Sequence, residues 1–322
     1  MLIAKIFKKI GRFLKNPTRY YSLRRIIFLK LRSEFISKIS PFSILDDKYF
    51  LEYQFFKFMG YKLDFKNPQS FHEKLQWIKL YYRNPLYTKL ADKFGVRSYV
   101  EEKVGSSILT NLFGVYENPM DIEWNELPNR FVIKTTHGCG WNIICKDKNK
   151  LDPEKATQRL SEWLNLNYYA IEVSREWQYK NIPPKIIIEE YLEGDEKYGL
   201  LDYKFWCFGG DPAFIDVDFD RFTEHKIGLF NKNWEVLNWS ISKWSSDVML
   251  EKPKHLEDML NIAKKLSEGI PFCRVDLYYF NQTIYFGEIT LCPGGGFEKF
   301  SSHEVDVFYG EQMELPPKMK NP

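Results

Sequence analysis

A mixed α+β architecture with two sheet-bearing subdomains is expected for this chain, and three observations lead to it. Segments of helical periodicity with recognisable caps occupy the first half of the sequence, whereas β-branched and aromatic runs bounded by Gly, Asn and Asp dominate after Pro183. A glycine-containing loop joins two apolar runs at 131–145, Phe131-Val132-Ile133-Lys134 and Asn142-Ile143-Ile144-Cys145. A hairpin near the end carries an acid on each arm, Asp276 in Arg274-Val275-Asp276-Leu277-Tyr278 and Glu288 in Gly287-Glu288-Ile289-Thr290.

Taken along the chain, residues 1–45 form a basic amphipathic segment and 46–130 a helical region. The first sheet-bearing subdomain follows at 131–192, the second at 193–300, and 301–322 is a tail. Phe50, Leu51, Tyr53, Phe55, Phe56 and Phe58 pack helices expected within 34–66. Ser70 and Glu73 have capping-box spacing, so a helix starts there and runs to about Tyr82, where Asn84-Pro85 breaks it. Lys89–Lys103 reads as one further helix, and Asp152–Tyr179 as one or two. Strands are expected at Ile186–Tyr191, Tyr203–Phe208, Ala213–Phe219 and Lys226–Phe230, and a helix at Glu257–Ser267 leads into the acidic hairpin.

The chemistry concentrates in three places. Two carboxylates on neighbouring strands can aim hard oxygen ligands at one point, with Arg274 two residues before the first; that set suits Mg²⁺ on a polyphosphate. The loop His137-Gly138-Cys139-Gly140-Trp141 lets backbone amides approach phosphate oxygens, and Lys134 before it supplies a point charge. The run Lys185-Ile186-Ile187-Ile188-Glu189-Glu190-Tyr191-Leu192-Glu193-Gly194 is a strand with an acidic end, able to offer backbone groups to a base edge. Each segment alone also suits an ordinary strand or hairpin, and it is their order along the chain that discriminates.

In that order the three segments resemble the ATP-grasp superfamily, and within it the TupA-like branch associated with teichuronopeptide and other surface-polysaccharide synthesis. The resemblance spans about residues 65–300 and includes Asn67-Pro68-Gln69-Ser70-Phe71-His72-Glu73-Lys74-Leu75-Gln76-Trp77 and Lys89-Leu90-Ala91-Asp92-Lys93-Phe94-Gly95-Val96-Arg97. It implies an ATP-grasp fold with nucleotide between the two sheets, ATP and Mg²⁺ as cofactors, and ligase activity through an acyl phosphate. By the same resemblance Lys134 touches the phosphates, and His137, Gly138 and Gly140 belong to the loop over them. Glu189, Glu190, Tyr191 and Leu192 hold the adenine, and Glu193 the ribose. Asp276 and Glu288 are the metal ligands and Arg274 stabilises the transferring phosphate. Thr290 stands where many relatives carry an asparagine ligand, which puts the third metal ligand in doubt. Lys89 is a candidate second phosphate lysine, and Lys204 a weaker one. The implied partners are a glycan or glycan precursor and an amine donor.

Charge is uneven. Residues 1–33 hold ten Lys or Arg and no acid, while the remaining 36 basic and 43 acidic residues leave a formal −7. That balance speaks against nucleic-acid binding by the main body. Ile3, Ile6, Phe7, Ile10, Phe13 and Leu14 recur at helical spacing among Lys5, Lys8, Lys9 and Arg12, so this segment suits an anionic membrane surface or a docking helix. No apolar run reaches the length of a span. Five cysteines without CxxC spacing indicate neither zinc nor a disulfide framework and fit a cytoplasmic protein, peripheral on the membrane through 1–33. Asp216, Asp218 and Asp220 alternate on one strand and read as its solvated face. Asp216-Val217-Asp218 also has the spacing of a glycosyltransferase metal motif, which makes that class the rival reading, beside a non-catalytic nucleotide-binding membrane-associated protein.

Overall fold

A computed structural model describes residues 47–171, 174–194, 198–219, 226–241 and 250–319. The basic segment 1–33 and Asp220 lie outside them, and so does the amphipathic helix expected at the start.

The chain begins with α1 (Asp47–Met59) and α2 (Phe71–Tyr81). Ser70 caps α2, and its reciprocal bond with Glu73 completes the expected capping box. Asn84 caps α3 (Pro85–Ala91), so Asn84-Pro85 both stops one helix and starts the next. The continuous helix expected over Lys89–Lys103 is not formed: α3 ends at Ala91 and α4 (Gly95–Val104) begins four residues later. Asp92 explains the break. Its carboxylate accepts from the Phe94 N–H at 2.9 Å, an Asx turn that competes with helical bonding.

The first sheet has the order β1-β4-β2-β3, with β1 at Leu112–Tyr116, β2 at Phe131–Thr135, β3 at Asn142–Cys145 and β4 at Ile186–Glu190, all pairs antiparallel. Between β3 and β4 lie α5 (Pro153–Leu164) and α6 (Tyr168–Ile171). Period-two alternation splits the sheet chemically. Phe131, Ile133, Ile186 and Ile188 face a core closed by Leu160 and Trp163 of α5. Lys134 and Glu189 point to the other side.

The second sheet has the order β7-β6-β5-β8-β9, formed by β5 (Asp202–Phe208), β6 (Asp211–Phe219), β7 (Lys226–Asn231), β8 (Phe272–Phe280) and β9 (Thr283–Thr290). The β8–β9 turn is Asn281-Gln282, both with positive φ (48° and 61°), the backbone of a two-residue primed hairpin. On one face Phe205, Cys207, Val275 and Leu277 meet α7 (Leu256–Ser267) through Met259, Ala263 and Leu266. The opposite face changes character along the strands. One end is aromatic, with Trp206, Phe208, Phe214 and Phe272 packed against Phe71, Phe300 and, on α8 (His303–Glu311), Tyr309. The other end is ionic, and the site begins there.

Candidate functional site

Register aligns four charged side chains in one row across four strands: Asp216 on β6 opposes Lys204 on β5, which opposes Asp276 on β8, which opposes Glu288 on β9. Directly opposed carboxylates repel, so Asp276 and Glu288 require a cation between them. In this structure Arg274 provides it. Its Nε and Nη2 donate to Asp276 Oδ1 and Oδ2 at 2.7 and 2.6 Å, and Nη2 lies 3.7 Å from Glu288 Oε1. Nη2 also donates to Thr290 Oγ1 at 3.2 Å, and that hydroxyl donates to Glu288 Oε1 at 3.0 Å. The four hairpin residues predicted to act together therefore form one hydrogen-bonded cluster.

The two acids differ in environment. Asp276 is 2 % exposed, and burial drives its pKa well up despite the guanidinium. Burial would raise Glu288 too, but Lys93, Arg274, the Thr290 hydroxyl and Lys134 outweigh it and hold the pKa below the usual carboxylate value. Glu288 keeps 45 % of its side chain accessible, so it is the carboxylate a diffusing cation meets first. As hard oxygen donors on adjacent strands the pair fits a divalent cation, with Arg274 now neutralising the charge that the cation would. Among the described residues no group of three or more His, Cys, Asp and Glu side chains forms a complete cage.

Facing this hairpin is the glycine loop. Thr136 anchors its start, its N–H donating to Lys185 O at 2.9 Å and its hydroxyl to Pro183 O at 3.2 Å. His137 anchors it from inside the small core: it is 2 % exposed, with Nε2 3.2 Å from Trp163 O and its ring edge-on to Trp141. Burial lowers its pKa. His137, expected in the loop over the phosphates, thus stands at the loop's root with its side chain turned into the protein. Gly138 and Gly140 lie in the loop, Gly140 with φ 74°, and a Cβ on Gly138 would sit 2.5 Å from the Trp141 ring. The Cys139 thiol lies beside Glu288 and Lys93; desolvation by its surroundings and that carboxylate raise its pKa, which disfavours a thiolate nucleophile.

Lys134 extends from β2 and meets Glu189 Oε2 at 2.7 Å, while Arg97 of α4 holds Glu189 Oε1 at 2.9 Å. Glu189, 6 % exposed, acts as a counter-ion between two cations. Glu190 accepts from Asn111 Nδ2 at 2.8 Å, Leu192 is 9 % exposed, and Glu193 pairs with Arg130 at 2.6 Å on the surface. Tyr191 lies near Lys146, 6.0 Å from its ring centre.

Sequence reasoning missed Lys93. It sits in the break between α3 and α4, its ammonium bonds the Gly138 carbonyl, and its charge acts on Glu288, Cys139, Lys134 and Glu189 at once. Burial lowers its pKa, the mark of an ammonium in a partly closed cleft. Lys89, the lysine chosen from sequence, lies one turn earlier on α3, and none of its described contacts reaches the cluster. The Asp92–Gly95 spacing was the available signal, because a helix broken there turns Lys93 out of the helical register.

Lys204 is buried in a second ionic group. It bonds Asp218 and lies 3.8 and 3.9 Å from Asp216 and Asp202. Burial opposes its charge, but these carboxylates dominate and raise its pKa. Asp216 accepts from Trp206 Nε1 at 2.5 Å, and burial pushes its pKa up to about 6. Asp216 and Asp218 are 4 % and 2 % exposed, so the solvated face expected for this stripe is instead an interior one, stabilised by pairing with Lys204.

The family described as TupA-like ATPgrasp matches residues 73–314. This chain belongs to the TupA-like ATP-grasp family. No curated protein matches it. Among solved structures, D-alanine–D-alanine ligase from Bacillus anthracis, complexed with ATP, is similar at 14 % identity and a TM-score of 0.39, over 69 % of this chain and 63 % of that one. A RimK domain ATP-grasp protein from Sphaerobacter thermophilus aligns at 12 % identity and TM-score 0.38 over 70 % and 69 % of the chains. Phosphoribosylamine–glycine ligase from Thermotoga maritima gives 14 % and 0.38 over 73 % and 57 %. The chain thus spans under two thirds of the length of the ligase from Bacillus anthracis. The expected ATP-grasp fold, α+β with two antiparallel sheets, is the one present.

Proposed function

We propose that this family member is an ATP-dependent carboxylate–amine ligase. The observation that carries the reading is the meeting of Lys93 and the glycine loop with the Arg274–Asp276–Glu288 cluster. Cations for a polyphosphate stand on one side and hard anionic ligands for its counter-ion on the other. Asp276 and Glu288 would hold a Mg²⁺ ion, which would neutralise charge on the terminal phosphates of ATP. Lys93 and Lys134 bind phosphate oxygens, Lys134 exchanging Glu189 for the nucleotide. Arg274, on the same strand as Asp276 and beside Glu288, would stabilise the transferring phosphoryl group.

In the reaction a substrate carboxylate oxygen attacks the γ-phosphorus and ADP leaves. An amine nitrogen next attacks the acyl carbon, expelling inorganic phosphate and losing a proton, so that an amide forms. The resemblance to the TupA-like branch supports a uronic-acid carboxylate of a surface glycan or its precursor, joined to an amino acid or amine. The rival glycosyltransferase reading loses its motif, because Asp216 and Asp218 are buried and engaged with Lys204. ADP release that depends on added carboxylate and amine is the expected result in a coupled assay. UDP release from a nucleotide sugar would replace the ligase with the transferase.

A further inference from the structure

Arg175 lies apart from the nucleotide-facing cluster and is held in two unfavourable ways. Its backbone is left-handed, φ 52°, a conformation uncommon for a residue with a Cβ. Its side chain is 3 % exposed, yet Nε and Nη2 are buried with no hydrogen-bond partner. A guanidinium stays charged at any accessible pH, so burying it without an acceptor is costly. Stacking offsets part of that: the guanidinium lies 4.7 Å from the Phe50 ring centre and 5.1 Å from that of Tyr169.

The neighbouring charges sharpen the imbalance. Lys180 lies over the same Tyr169 ring at 5.3 Å, and Arg83 has a buried Nε without a partner. Asp47 is the carboxylate among them, and it is already taken, accepting from the Tyr169 hydroxyl at 2.7 and 2.8 Å and from Arg83 Nη2 at 2.9 Å. Glu176, next in the chain, accepts from Ser174 Oγ at 2.9 Å and Gln178 Nε2 at 3.0 Å. Lys79 approaches from α2 but spends its ammonium on the carbonyls of Ser174 and Gly295. Among the described residues, Arg175, Arg83, Lys180 and Lys79 therefore gather around two carboxylates, Asp47 and Glu176, that are both already bonded, with the orphan N–H groups of Arg175 buried beneath. Solvent reaches the rim, where Arg83 and Asp47 each keep 17 % of their side chains accessible and Lys180 is exposed.

We infer that the cluster floored by Arg175 is an oxyanion subsite, taking a phosphate or carboxylate group of a bound molecule in the fork of the guanidinium. Planar oxyanions and phosphates match the parallel N–H groups of arginine, and a dry floor strengthens such bonds. Lys79 ties the Ser174 carbonyl beside this cluster to the Gly295 carbonyl of the loop that follows β9. Among the described residues no hydrogen bond or ion pair joins Arg175, Arg83, Asp47 or Lys180 to Lys93, Lys134 or the β8–β9 acids, and the inference holds whether or not the ligase reading does.

The test is calorimetric titration of the full chain with inorganic phosphate and, separately, glucuronate, in the absence of nucleotide. The proteins are wild type, Arg175→Met, Arg175→Lys and Lys134→Ala. Wild type is expected to bind at least one of the two anions saturably, and the tighter one names the source. Arg175→Met is expected to raise its Kd by about tenfold or more, the loss of a bidentate charged pair, with Arg175→Lys intermediate. Lys134→Ala is expected to leave that Kd unchanged. Should Arg175→Met fail to fold, Arg83→Met takes its place with a weakening in the same direction. No saturable binding by wild type, unaltered binding in both arginine variants, or loss in Lys134→Ala alone would each overturn the subsite.

Discussion

Lys79 illustrates how one side chain can tie the site together. Almost fully buried on α2, it donates to Ser174 O and Gly295 O, both at 2.7 Å, and lies 4.6 Å from the Phe297 ring centre. Burial lowers its pKa to about 8, against which Cys292, Glu176 and Asp47 act. A base whose folded pKa is depressed holds fewer protons folded than unfolded between that value and its ordinary 10.5, so its contribution to stability rises with pH across that window. Wild-type stability minus that of Lys79→Met is therefore expected to rise between pH 8 and 10.5, by on the order of 3 kcal/mol at most, in denaturant titrations. A flat difference would mean that the ammonium is not desolvated. At the other side of the cleft, Lys93→Ala should weaken ATP binding by roughly 1.5–3 kcal/mol, the worth of a hydrogen bond from a charged group. Lys89→Ala should leave it unchanged, and equal effects of the two in a calorimetric titration would restore Lys89. Lys93 was hidden in the sequence because three residues between two helices carry no periodic signal. Asp276 and Glu288, in contrast, were legible as acids on the two arms of one hairpin, although the two-residue turn alone would set Asp276 opposite Gly287, and it is a bulge beside Leu277 that brings Glu288 opposite.

Among the helices and strands, α2 does more than its sequence announces. Its polar residues reach distant backbone: His72 Nε2 lies 2.7 Å from Glu298 O, Lys74 Nζ donates to Gly310 O and Met313 O, and Gln76 Nε2 to Gly296 O. The capping box that starts α2 was readable, whereas these long-range bonds were not, since nothing local links residue 76 to residue 296. The loop they hold has three successive glycines at positive φ, and a Cβ on Gly295 would lie 2.5 Å from Ser174 Cβ. Gly295→Ala is expected to cost at least about 1–2 kcal/mol from backbone strain alone. Thermal unfolding of the variant checks it, and wild-type stability would show the loop to be free rather than clamped. At the end of the same helix, His72 Nδ1 meets Asp306 Oδ1 at 2.7 Å. Burial would raise Asp306, but the hydrogen bond and charge of His72 hold its pKa below the ordinary 3.8. That contribution is present in full above the ordinary carboxylate value and is lost as pH falls through the depressed one. Asp306→Asn should then flatten the acid limb of the stability profile, and an unchanged limb would assign acid unfolding to other groups. The solvated stripe misread on β6 belongs here too. Alternation located Asp216 and Asp218 on one face correctly, but only tertiary packing decides whether a face meets water.

Taken whole, the chain is a family member whose two sheets bring cations and carboxylates together from segments more than a hundred residues apart, Lys134 and Glu288 among them. Among the described residues no helix is long and apolar enough to cross a membrane. For the basic segment 1–33, deletion is expected to release the protein from anionic vesicles while ATP binding persists, because the remainder carries a formal −7 and is repelled by the same surface. Equal sedimentation of full-length and truncated protein would remove that reading.

The most direct measurement is ATP binding by calorimetry, with and without Mg²⁺, in wild type and in Glu288→Gln. The account predicts micromolar-range binding, on the order of −8 kcal/mol, that is strengthened by Mg²⁺ in wild type. In Glu288→Gln the Mg²⁺ dependence should disappear while the fold, judged by its melting transition, survives. Magnesium-independent binding in wild type, or an undiminished Mg²⁺ effect in the variant, would contradict it.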